Sequence, residues 1–172
     1  LREQRRDLHF ESARIVESDT SNWQSVLTVN KGTAQDVAVG DCVVTEAGYL
    51  VGVVTEAGLN WSTVTTLIDT DIELGGLIGR TDGAAILEGD FTLMGQGRLK
   101  LSYLPENTEL VAGDEVLTSG KGGVYPSGLV VGAIESVHTD VSGMSRYAVV
   151  KPAADLDDLQ QVFVIKAFDI VE

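Results

Sequence analysis

Short apolar runs separated by turn residues occupy most of the chain after residue 10. Eleven of these runs are rich in β-branched residues or leucine, and glycine, asparagine, aspartate or proline lies in most of the gaps. This spacing is typical of a β-barrel or β-sandwich. The predicted strands are 26–29, 43–45, 50–54, 64–68, 74–78, 84–87, 99–101, 116–118, 129–137, 147–151 and 162–165.

Two segments break this pattern and predict short helices. Residues 1–8 (LREQRRDL) are highly charged and lack glycine and proline. We interpret 1–9 as the end of a helical, coiled-coil stalk, and we expect the chain to be a piece of a longer protein. Residues 153–161 offer Asp155 as an N-cap, which predicts one or two helical turns.

The strand pattern repeats once along the chain. VAVGDCVVT at 37–45 aligns with LVAGDEVLT at 110–118, an offset of 73 residues. LVGVV at 50–54 aligns with VVGAI at 130–134, an offset of 80 residues. A glycine inside a strand often marks a bulge or a barrel corner, so the matched glycines favour two similar barrels. Chance similarity is the alternative, because V-x-V-G-D strings recur in many β proteins.

The repeat predicts an all-β fold of two small, six-stranded barrels. The first barrel would span 10–90 and the second 91–172, with an approximate boundary and possible exchange of strands between them. Glycine adopts positive φ without steric cost, so we expect structural turn or bulge roles for several glycines. These are Gly40, Gly52, Gly113, Gly120, Gly123, Gly128 and Gly132.

The charge balance argues against a nucleic-acid partner. The chain has 26 acidic and 12 basic residues and a net charge of −14. Nucleic-acid binding needs lysine and arginine to replace counterions along the phosphates, whereas a strongly acidic surface mainly favours solubility. The one cysteine, Cys42, lies in an apolar run and is expected to be buried rather than reactive.

Candidate catalytic residues are few. The chain has two histidines, His9 and His138. Ser119 lies in TSGKGG, which has the spacing of neither a nucleophile elbow nor a phosphate-binding loop. The acidic group at 155–158 lacks the glycine and glutamate of a calcium-binding EF-hand loop. We therefore expect no catalytic cluster, no metal site and no cofactor.

Aromatic residues suggest where a partner could bind. Tyr125 and Pro126 lie in a stretch, 121–127, that the first copy of the repeat lacks. They are the candidate partner-binding residues, because tyrosine is enriched in interface hot spots. The alternative is that they pack inward and shape a turn. Trp23 and Trp61 are expected to cap a barrel rather than to line a glycan groove.

Three separated segments together resemble a known protein family. They are TSNWQSVLTVNKG at 20–32 followed by VAVGD, TSGKGGVYPSGLVVG at 118–132, and VVKPAADLDDL at 149–159. In this order they resemble the extracytoplasmic domain of the MreC family of rod shape-determining proteins, over about 10–164. Ser127 departs from the family pattern, in which many members carry a second proline at this turn.

The resemblance implies features that the residue pattern does not. It implies a single N-terminal membrane helix and a coiled coil, followed by this β domain on the extracytoplasmic side. It also implies two barrels arranged as in trypsin-like proteases, without a catalytic triad.

The resemblance further implies a non-catalytic scaffold of the lateral cell-wall elongation machinery. Its partners would be a class B penicillin-binding protein, MreD, RodA and, through the membrane complex, MreB. Self-association as a homodimer or filament is also implied. A degenerate two-barrel protease and a glycan-binding module are the alternative functions.

Overall fold

A computed structural model describes residues 9–18, 25–104, 109–121, 125–143 and 145–167. The predicted helix at 1–8 lies outside these ranges, as do Trp23 and Gly123. Within them the chain forms twelve strands: β1 (His9–Ser18), β2 (Val26–Val29), β3 (Cys42–Val44), β4 (Leu50–Ala57), β5 (Ser62–Thr66), β6 (Glu73–Ile78), β7 (Gly83–Glu88), β8 (Leu99–Ser102), β9 (Glu115–Thr118), β10 (Val130–Thr139), β11 (Arg146–Pro152) and β12 (Gln161–Ala167).

The all-β prediction is confirmed, and each of the eleven predicted strands overlaps an observed one. The strand missing from the prediction is β1. Two of its largest apolar residues, Phe10 and Val16, point to solvent with exposed fractions of 52% and 60%, whereas the small Ala13 is buried. The apolar pattern of β1 therefore does not mark the face that is buried in the core.

The strands close into two six-stranded barrels. The first has the order β1-β12-β3-β4-β5-β2 and the second β10-β11-β8-β7-β6-β9. If the chain is divided between β6 and β7, each barrel consists of five strands from one side of the division and a sixth from the other. β6 follows β5 in sequence but pairs with β7 and β9 of the second barrel. β12 follows β11 but pairs with β1 and β3 of the first. The division between the two closed sheets therefore differs from a single division near residue 90.

The repeat is preserved in the strand register. β4 shifts register against β5 between Val54 and Glu56, and β10 shifts against β11 between Ile134 and Ser136, 80 residues later. The ladders β3–β4 and β9–β10 also have equivalent irregularities. Each strand of one barrel thus has a counterpart in the other, and β12 takes in the first barrel the place that β6 has in the second.

Two pairs of glycines occupy equivalent positions in the copies. A Cβ atom added at Gly52 would lie 2.1 Å from the Thr65 carbonyl oxygen, and one added at Gly132 would lie 2.1 Å from that of Lys151. Gly40 and Gly113 have φ angles of +99° and +97°, a region in which side chains other than glycine are strained. Positive φ angles also occur at Gly120 and Gly128.

The helix predicted at 153–161 is wrong. Residues 153–160 form a linker with turns between β11 and β12, and Ala154 and Leu156 are buried in it. The linker carries the chain from the second barrel back to the first, and a helix advances only about 1.5 Å per residue. Helical structure occurs instead as a 3₁₀ turn at Thr33–Gln35 and a short helix α1 at Phe91–Met94, whose first turn is capped by the Asp90 carboxylate.

A single connected apolar core runs through both barrels. Where the barrels meet, Tyr49, which directly precedes β4 of the first barrel, forms an isolated bridge with Val130 of β10. The two barrels therefore share one interior.

Candidate functional site

The candidate partner-binding residues Tyr125 and Pro126 pack inward. Tyr125 is only 9% exposed and Pro126 is buried. The Thr118 hydroxyl holds the turn by donating to the Pro126 carbonyl (2.5 Å) and accepting from the Leu129 amide (2.9 Å). The side chains thus adopt the inward alternative, and a role in partner binding stays a prediction for this segment.

Burial also determines the chemistry of Cys42, which lies close enough to Tyr125 to influence its ionisation. Burial, and to a smaller extent Asp41, raise the pKa of the Cys42 thiol to about 12. Burial, with a smaller contribution from Cys42, raises the pKa of the Tyr125 phenol. Both groups are therefore neutral at physiological pH, and a neutral thiol is a poor nucleophile.

The residues considered for catalysis have separate partners. The Nε2 atom of His138 is 2.7 Å from the Ser136 hydroxyl, and the imidazole ring stacks on Tyr147 with the ring centroids 5.3 Å apart. The Ser119 hydroxyl accepts from the Lys121 amide at 3.3 Å. The side chain of His9 lies outside the described part of the chain. In that part, no three histidine, cysteine, aspartate or glutamate side chains gather closely enough to hold a metal ion.

Closure of both sheets limits how a partner could bind. An open sheet edge can accept an added strand, but each described strand is paired on both sides within its barrel. A partner of this domain would therefore contact barrel faces, rims or clefts rather than an open strand edge.

One cavity, of about 720 Å³, is a cleft at the junction of the barrels. Apolar residues of both barrels line it, and acidic side chains of the β5–β6 linker and of β6 lie at its rim. Its lining consists of Val26, Val53, Thr55, Thr65, Asp69, Asp71, Ile72, Glu73, Leu74, Gly75, Ile86, Lys121 and Tyr125.

A second cavity, about 530 Å³, lies on the second barrel alone. It is formed between β7–β8 and the outer end of the β10–β11 ribbon, and we call it the ribbon cavity. Its lining is rich in charged and aromatic side chains, with two tyrosines where the cleft has one. The lining residues are Glu88, Lys100, Ser102, Tyr103, Leu104, Asp140, Ser145, Arg146 and Tyr147.

A cationic side chain at the end of β6, and another at the end of β12, bonds to residues of the barrel that the strand completes. Just beyond β6, the Arg80 guanidinium donates to the Asp114 carboxylate at 2.7 and 2.9 Å and to the Glu109 carbonyl at 2.9 Å. The Arg80 hydrogen bonds hold the pKa of Asp114 below its usual range. In the first barrel, Lys166 of β12 contacts the carbonyls of Gln35 and Asp36.

Comparison with known proteins gives a consistent result. The family model described as "Rod shape-determining protein MreC, barrel core" matches residues 15–166, which include strands of both barrels. The cell shape-determining protein MreC of Bacillus subtilis is 35% identical over 161 residues, covering 89% of this chain and 55% of the relative. The chain thus spans about half the length of the curated relatives that it matches. No helix among its described residues is long and apolar enough to cross a membrane.

Solved structures share the fold. MreC of Listeria monocytogenes aligns with a TM-score of 0.83 and 31% identity, covering 96% of this chain and 79% of that one. The major periplasmic domain from the cell shape-determining filament MreC gives a TM-score of 0.74 at 24% identity, covering 92% and 95%. A complex between a penicillin-binding protein, PBP2, and MreC from Helicobacter pylori gives 0.68 at 16% identity, covering 93% and 99%. At these lower identities the likeness of the last two concerns the fold.

Proposed function

The chain belongs to the MreC family of rod shape-determining proteins, and from this membership we propose that it is part of a non-catalytic scaffold for lateral cell-wall elongation. In this role the double barrel holds wall-synthesis enzymes in one complex outside the membrane. The observation that carries the proposal is the family match, which extends over both barrels rather than over one motif.

A class B penicillin-binding protein is the partner that we propose first. The Helicobacter pylori protein that shares this fold was solved in complex with a penicillin-binding protein, which supports a partner of the same class here. We further propose MreD, RodA and, through the membrane complex, MreB as members of the assembly. Attachment to the membrane would come from a single N-terminal helix of the whole protein.

Self-association belongs to the same proposal. The related periplasmic domain is described as part of a filament, which supports assembly of this protein as a homodimer or filament. With the described strands enclosed in barrels, copies would associate through barrel faces or through the proposed stalk.

Binding of the transpeptidase can be measured directly. We expect the purified domain to bind the soluble ectodomain of the class B penicillin-binding protein from the same organism, with a saturable surface plasmon resonance signal. The ectodomain of a bifunctional class A penicillin-binding protein is the matched control and should give no saturable signal. Equal responses to both ectodomains, or none to either, would contradict the proposal.

The non-catalytic part of the proposal has its own test. The partners of His138 and Ser119 described above support it, because neither side chain activates the other. We expect the wild type and Ser119→Ala to give the same background rate on a broad library of peptide substrates. Hydrolysis by the wild type that disappears in Ser119→Ala would show that the fold retains protease activity.

A further inference from the structure

The two barrels are copies, so the places where they differ indicate features that the shared fold does not require. One difference is the β10–β11 ribbon. The β10–β11 ribbon corresponds to the β4–β5 hairpin of the first barrel. When the two are aligned by strand register, β10 ends two residues later than β4, and β11 begins two residues earlier than β5. The longer ribbon projects beyond the barrel and forms one wall of the ribbon cavity.

A strained aromatic residue lies on the opposite wall. Tyr103 has a φ of +58° and is 76% exposed. Positive φ is uncommon for a large side chain, and such strain is concentrated at binding and catalytic sites. The position 73 residues earlier is Asn30, which is not among the described non-glycine residues with positive φ. The exposed, strained tyrosine is thus specific to the copy that carries the cavity.

A second aromatic ring and two cations complete the cavity. Tyr147 is held by stacking with His138, and the Lys100 ammonium lies 5.0 Å from the Tyr147 ring centroid. Arg146 precedes Tyr147 on the ribbon and also lines the cavity. Acceptors are present as well, since the Glu88 carboxylate accepts one hydrogen bond, from the Ser102 hydroxyl at 2.8 Å.

The side chains that line the ribbon cavity are better suited to binding a sugar than to contacting a partner protein. Aromatic faces pack against apolar surfaces, such as the C–H face of a sugar ring, and carboxylates and hydroxyls can bond its hydroxyl groups. Cationic side chains bind carboxylates strongly. The core of a protein–protein interface is depleted in charged residues, whereas Glu88, Lys100, Asp140 and Arg146 all line this cavity. Its volume is in the range of small-molecule sites.

We propose that the ribbon cavity binds an acidic glycan, a sugar chain that carries a carboxylate. Tyr103 stacks on a sugar ring, and Lys100 and Arg146 pair with the carboxylate. The site lies on the second barrel and does not depend on the binding of any wall-synthesis enzyme.

The test is an NMR titration of the whole 172-residue chain with two disaccharides. The acidic probe is N-acetylglucosaminyl-N-acetylmuramic acid, and the neutral control is chitobiose, which lacks the carboxylate. We expect saturable shifts of the backbone amides at 100–103 and 145–147, with an affinity about fivefold or more higher for the acidic probe. Tyr103→Asn should weaken binding about tenfold and preserve the fold, because asparagine tolerates positive φ. Arg146→Gln should remove the preference for the acidic probe.

Trp61→Ala provides the matched control, since Trp61 is a partly exposed aromatic residue beside the equivalent hairpin of the first barrel. It should leave both affinities unchanged. Absence of saturable shifts, or wild-type affinity in Tyr103→Asn with a native spectrum, would overturn the proposal. If neither sugar binds and Tyr103→Asn instead weakens binding of the penicillin-binding protein ectodomain, the cavity is a protein-binding surface and the proposal is wrong.

Discussion

At the level of single residues, Gly52 and Gly132 have the clearest structural requirement. A side chain at either position would collide with a backbone carbonyl of the adjacent strand at 2.1 Å. Backbone in a sheet cannot move aside as a flexible side chain can, so the collision would distort the ladder at the barrel corner.

We expect Gly52→Ala and Gly132→Ala each to lower the free energy of unfolding by at least about 2 kcal/mol, as overpacking does. Gly79→Ala is the control, because the nearest atom to its added Cβ would be 3.6 Å away. Urea denaturation, monitored by circular dichroism, measures the free energy of unfolding of the three variants. Similar urea midpoints for Gly79→Ala and Gly132→Ala would show that the close approach of backbone at Gly132 does not limit the stability of the domain.

The two Gly-Asp turns, at 40–41 and 113–114, differ in the partner of the aspartate. Asp114 and Asp41 accept from equivalent turn amides, those of Val111 and Ala38. Asp114 is buried and also pairs with Arg80. In the first barrel the corresponding cation, Lys166, contacts backbone carbonyls.

We therefore expect Asp114→Asn to destabilise the domain by about 1–3 kcal/mol and Asp41→Asn to have a smaller effect. Because the pKa of Asp114 is lowered from 3.8, its pairing contributes fully above that pH and is lost as the pH falls through the lowered value. The stability difference between wild type and Asp114→Asn should therefore narrow in acid. Denaturation curves between pH 7 and pH 3 measure it, and a constant difference would contradict the role of the ion pair.

At the level of elements, the exchange of β6 and β12 makes each barrel depend on both halves of the chain. A five-stranded remnant would leave two open edges and an incomplete core. The chain can be cut between β6 and β7, where Thr81 and Asp82 form an exposed turn, so the cut itself should cost little.

We expect fragments 1–80 and 81–172 each to be unfolded alone and to form a native-like complex when mixed. In ¹H–¹⁵N spectra, each isolated fragment should show narrow amide dispersion, and the mixture should recover the dispersion of the intact chain. A well-dispersed spectrum of 1–80 alone would mean that the first barrel does not need β12.

The local sequence predicts where the strands lie better than it predicts which strands pair with each other. The internal repeat and its matched glycines, Gly52 and Gly132, predict two barrels. They can do so because turn chemistry and register irregularities are local features that recur in both copies. The exchange of β6 and β12 is a long-range pairing, and nothing in an apolar run such as 74–78 states which barrel it completes. The linker at 153–160 has helix-like composition, but its length and path are set by the distance between the barrels. The ribbon cavity was missed because Tyr103 and Tyr147 are distant in sequence and meet only in the fold.

At the level of the whole molecule, two closed barrels with a shared core form an acidic unit with a net charge of −14. Closure of the described strands leaves no free sheet edge among them that could template aggregation. Charge on the faces favours selective, steered encounters with partners of complementary charge.

We propose that the protein holds wall-synthesis enzymes together, and crosslinking of the full-length protein in its own cells would test this proposal. Crosslinked partners would be identified by mass spectrometry and compared with those of an unrelated, single-pass membrane protein of similar abundance. We predict enrichment of the class B penicillin-binding protein together with RodA and MreD. Recovery of none of these above the control, from cells that are elongating normally, would contradict the scaffold function.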